Sequence, residues 1–82
     1  MKKSKSDIDV INNAFKVCDN FGYEGREKMF EIINYVNEYK KYYDIEKQQF
    51  PEKLTPKKKR LVRELAFADA NNAALNRYIA LD

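Results

Sequence analysis

The chain has 82 residues, 44% of them hydrophobic, and a net charge of +3, which suits one domain with a modest core and excludes wholesale disorder. It carries no histidine and one cysteine, Cys18. That removes the usual general base, the commonest metal ligand, any intrachain disulfide and any thiolate cluster for zinc. Two glycines and two prolines leave few turns, and the many Lys, Glu, Ala, Leu, Asn and Tyr residues predict an all-α fold. The expected organisation is a basic tail over 1–5 and a single three-helix domain over 6–82.

The first helix is predicted over about 7–21, with Ser6 as its cap and Asp9 completing a weak capping box. Ile8, Val10, Ile11, Ala14, Phe15, Val17, Cys18 and Phe21 share one half of the wheel and polar residues fill the other, the pattern of a surface helix with one buried face. On that assignment Phe15→Ala should cost about 3–5 kcal/mol. Gly22 stops the helix because it accepts a left-handed conformation. Gly22-Tyr23-Glu24-Gly25 is then a tight joint; the same Gly-x-x-Gly spacing in one RNA-binding module needs a mixed sheet context that is missing here.

The second helix is expected over about 25–48, with Met29, Ile32, Ile33, Val36, Tyr39 and Tyr43 as its apolar stripe and Tyr35 and Tyr42 on the flank. Phe30 and Ile45 point elsewhere. Pro51 biases Phe50 away from helix and marks the second joint. The third helix is expected over about 56–81, capped by Thr55 with Pro56 at its first position. Leu61, Leu65, Ala68, Leu75 and Ile79 line its stripe, and Asn72 falls in the middle of it. Two readings fit. Either the helix is continuous and Asn72 fixes the register of a packing seam, or it breaks near Asn71 and Asn72 to leave a short fourth helix, as in a helix-turn-helix. The surrounding alanines favour continuity.

Lys57, Lys58, Lys59 and Arg60 crowd the first turn of this helix, beside the positive end of its dipole, where acids are normally favoured. Lys59, Arg63 and Arg77 share a side with Ala66, Ala70 and Ala73, and small residues between cations let a helix approach a polyanion closely. The plain alternative is a solubilising charge run. The stretch Leu54-Thr55-Pro56-Lys57-Lys58-Lys59-Arg60 resembles the opening of the DNA-binding region of small phage terminase subunits; the likeness covers these residues only, and no function is carried from it.

A second candidate surface is aromatic. Tyr35, Tyr39 and Tyr42, with Phe30, are either the wet rim of the core or a protein interface. Six tyrosines in so small a domain favour a homodimer that covers some of them. No paired carboxylates, calcium loop or Gly-rich phosphate motif occurs, and Cys18 lies on an apolar face. The expected protein is therefore non-catalytic, without metal or cofactor. It binds nucleic acid through Lys57, Lys58, Lys59, Arg60, Arg63 and Arg77, or it modulates another protein through its Tyr-rich and cationic surfaces. No run suits a signal peptide or a membrane span, so the expected site of action is the cytoplasm. The usage of Lys, Asn, Ile and Tyr suggests an AT-rich bacterial or phage genome.

Overall fold

The computed structural model describes residues 5–50 and 52–81. Three helices account for most of them: α1 (Lys5–Phe21), α2 (Gly25–Lys47) and α3 (Pro56–Ala80). The tail expected over 1–5 lies outside the described residues except for Lys5, where α1 already begins, one residue ahead of the expected Ser6 cap. The joint assigned to Pro51 also falls on a residue outside them. No strand occurs among the described residues.

Each joint has a local cause. Gly22 adopts φ 73°, Tyr23 N–H donates to the Cys18 carbonyl at 3.0 Å and Gly22 N–H to that of Asp19 at 3.3 Å. These are the two bonds of a Schellman stop, and Cys18 and Tyr23, the positions whose apolar contact usually accompanies it, are both buried. Gly25, at φ 59°, opens α2 in a conformation that other residues adopt only with strain. Thr55 caps α3, its Oγ1 accepting from Lys58 N–H at 3.2 Å, and Pro56 follows. The helix then runs unbroken through Asn71 and Asn72 to Ala80, so there is no fourth helix among the described residues, but Asn72 is exposed and it is Asn71 that bonds across the packed helices, to Tyr35.

The helices alternate in direction, α2 lying between α1 and α3 and packing most heavily on α3. Their Cα atoms fill a flat volume of 42 × 30 × 16 Å. Val10 and Ala14 of α1, Tyr35 and Tyr39 of α2, and Ala66, Ala70 and Ala74 of α3 form the central cluster. Tyr35 is fully buried and ties the three helices together: Asn13 Nδ2 donates to its hydroxyl at 2.9 Å, and that hydroxyl donates to Asn71 Oδ1 at 2.7 Å.

This arrangement overturns the expected inward face of α3. Val62, Ala66, Ala70 and Ala74 are 0% exposed, whereas Leu61, Leu65, Leu75 and Ile79 are 45, 37, 43 and 58% exposed. Steric fit decides the matter. Two tyrosine rings project from α2 into the seam, and only a row of small residues lets α3 come close enough to pack around them. Met29 and Ile33 of the expected α2 stripe are likewise exposed, as are Ile8 and Phe15 of α1. Phe30 and Ile45 do point outward, as their positions on the wheel imply.

Phe15 lies under the Lys28 ammonium, 5.3 Å from its ring centroid. With its ring 43% exposed, Phe15→Ala is expected to cost about 1–2 kcal/mol, from partial loss of apolar burial and of an exposed cation–π contact. Urea unfolding followed by far-UV circular dichroism measures this; a loss above about 3 kcal/mol would restore Phe15 to the core.

Candidate functional site

The basic start of α3 is a real surface feature, but it is smaller than the spacing of its cations suggests. Lys57, Lys59 and Arg60 are exposed, and Lys58 and Arg63 are half-buried. Lys58 Nζ lies 3.6 Å from Glu52 and Arg60 Nε lies 3.6 Å from Glu64, exposed pairs that hold their partners weakly. Beside this end an open groove of about 740 Å³ runs between the close of α2 and the following loop, lined by Tyr43, Asp44, Lys47, Phe50, Glu52 and Lys59 among others. Its charges are of both signs, so the groove itself does not select a phosphate.

Arg77 does not join the other cations. It lies fourteen residues beyond Arg63, about 21 Å along the helix, and faces α2. Its Nε donates to Glu31 Oε2 at 3.0 Å and its Nη2 to Glu31 Oε1 at 2.5 Å, while Nη1 pairs with Glu38. Glu31 is 5% exposed. The bonds to Glu31, ahead of the opposing effect of burial, push the Arg77 guanidinium pKa up and keep it charged. Ala66 and Ala70, placed by the wheel between cations, face the core instead. The signal for this ion cluster is faint in sequence: Glu31, Tyr35 and Glu38 share one face of α2, two acids flanking a core ring.

The aromatic surface is redistributed too. Tyr35 and Tyr39 are buried and Tyr42 is half-buried, so only Phe30 of the four expected interface residues stands clear. Burial pushes the Tyr35 hydroxyl pKa up, and the hydrogen bond from Asn13 opposes it. Tyr78 stacks on Phe21 with centroids 4.4 Å apart and meets Tyr23 edge-on. Cys18 is buried, with its Sγ 3.7 Å from the Lys28 carbonyl, and burial pushes its thiol pKa up. That favours the unreactive thiol over the thiolate. Among the described residues no group of three His, Cys, Asp or Glu side chains could hold a metal ion, and no helix is long and apolar enough to cross a membrane.

What remains most open is the outer face of α3. Leu61, Leu65, Ala68, Asn72, Leu75 and Ile79 follow one another at intervals of four and three, and all six are exposed. That is the spacing of a coiled-coil seam, here facing away from the rest of the described residues. No protein-family model, no curated protein and no solved structure matches this chain.

Proposed function

We propose that this chain is a non-catalytic protein-binding module that offers the outer face of α3 to another helix. One observation carries the reading. On α3 Val62 and three alanines face the core, while four large aliphatic side chains sit in a regular row on the opposite, outer side. Fully burying a Leu or Ile contributes about 1.5–3 kcal/mol, and roughly half of that is still to be gained at each position. Contiguous apolar rows of this kind mark contact sites in soluble proteins. The expected homodimer belongs to this reading, as does action on a separate protein. Cys18, a reduced thiol in the core, fits a cytoplasmic setting.

Nucleic-acid binding is the second reading, favoured by the cluster of Lys57, Lys58, Lys59, Arg60 and Arg63 at the start of α3. Arg77, the sixth cation expected to join it, is held by Glu31 and Glu38, and Glu52 and Glu64 partly offset two of the five. Two titrations separate the readings. In the first, labelled duplex and single-stranded oligonucleotides are followed by anisotropy at low and moderate salt. In the second, an apolar fluorescent dye reports exposed hydrophobic surface in the wild type and in Leu65→Gln/Leu75→Gln, at protein concentrations low enough that the chain is monomeric. The protein-binding reading expects no oligonucleotide binding even at low salt, and dye binding that the leucine changes abolish. Oligonucleotide affinity that falls with salt, by roughly 0.7–0.9 in log K against log salt for each phosphate contacted, and that Lys59→Ala/Arg63→Ala removes would establish the second reading instead.

A further inference from the structure

Resting on the protein-binding reading, we propose that the occupant of the outer face of α3 is a second copy of this chain, with the two α3 helices packed antiparallel about a two-fold axis that crosses the outer face between Ala68 and Asn72. The row spans Leu61 to Ile79, about 27 Å of helix, and a 4-3 spacing kept over that length is the register of a helix–helix seam rather than of a solvated face. The outer row lies across α3 from Val62, Ala66, Ala70 and Ala74, which meet the rest of the fold. A second helix reaches it without displacing α2.

The row is self-complementary when read in reverse. In an antiparallel pair Leu61 meets the partner's Ile79, Leu65 meets the partner's Leu75, and Ala68 meets the partner's Asn72. Each large aliphatic side chain opposes another, and the one amide opposes the smallest residue in the row. A two-fold interface requires such self-matching. Charge selects the direction. In a parallel pair Lys57, Lys58 and Arg60 of both copies, which border the outer row, would crowd together, and Glu64 would flank the partner's Asp69, a like-charge contact at the seam. In the antiparallel pair the same cations lie beside the partner's α3 C-terminal end, whose last carbonyls carry the negative pole of the helix. The cations that oppose the dipole of their own helix thereby complement that of its neighbour.

The test has two arms on the full chain. Sedimentation equilibrium from micromolar to millimolar concentration should show the mass rise from the 9.7 kDa of one chain towards twice that value. Leu65→Gln/Leu75→Gln should weaken the association by roughly a hundredfold or more. For direction, oxidation of Leu61→Cys/Ile79→Cys should give a covalent dimer. Leu61→Cys by itself should give none, because the two sulfurs would lie far beyond the reach of a disulfide, about 7 Å between Cα atoms. The native thiol of Cys18 is buried and does not compete. A covalent dimer from Leu61→Cys by itself would overturn the antiparallel arrangement. The mass of one chain at every concentration would overturn the second copy as occupant. In that case, dye binding that the leucine changes abolish would still uphold the protein-binding reading with a different partner, and its absence would sink both.

Discussion

Arg77→Ala is expected to cost about 3–5 kcal/mol of folding stability, the usual loss when one member of a buried ion pair is removed. Glu31 accepts two hydrogen bonds from the guanidinium and is 5% exposed, so its carboxylate would be left nearly dry and without its counter-charge. Glu38 would lose the same partner. Stabilities of about 0.05–0.15 kcal/mol per residue put a chain of this size at roughly 4–12 kcal/mol in total, so the variant should unfold at much lower urea or not fold at all. Adding Glu31→Gln to Arg77→Ala should restore part of the loss, because a buried neutral amide costs less than a buried charge. Arg63→Ala, with no ion pair to break among the described residues, should change stability by less than about 0.5 kcal/mol. Equal losses for Arg63→Ala and Arg77→Ala would show that the Glu31–Arg77–Glu38 cluster contributes no more than an ordinary surface charge.

Much of the architecture is legible in the chain. The Gly22 stop, the Thr55-Pro56 start and the alanines around Asn72 place three helices with limits close to those observed. Helix 1 reads well at Val10, Ala14 and Cys18, all buried. The orientation of α3 about its own axis is not legible, because this helix is apolar on two faces. Hydrophobicity ranks the leucine face above the alanine face, whereas the decision rests on the volume of Tyr35 and Tyr39 on another helix. The same long-range cause hides the role of Arg77. Its carboxylate partners lie 46 and 39 residues away, and in sequence it reads as one more cation on a basic side. The candidate contact surface is affected directly: the residues that look like core are the ones left outside, and two of the tyrosines that look like interface are the core.

A matched pair of double variants in α3 carries a loss of similar size. Ala66→Gln/Ala70→Gln places two long amides where both alanines are fully buried against the tyrosine cluster. Overpacking costs about 1–3 kcal/mol per site, and each buried amide without a partner adds about 1–3 kcal/mol, so this variant should be largely unfolded. Leu65→Gln/Leu75→Gln alters the outer row, where the side chains already meet water. It should keep its helical content and a cooperative transition, losing about 1 kcal/mol at each site for the part of the leucine already buried and, where the chain associates, the stabilisation that association supplies. Urea unfolding of the two variants beside the wild type, followed by far-UV circular dichroism at low protein concentration, is the most direct measurement of which face of α3 lies inside. The structure predicts that the alanine pair collapses the fold and the leucine pair spares it. A folded alanine pair beside an unfolded leucine pair would put the leucines in the core and remove the proposed contact surface.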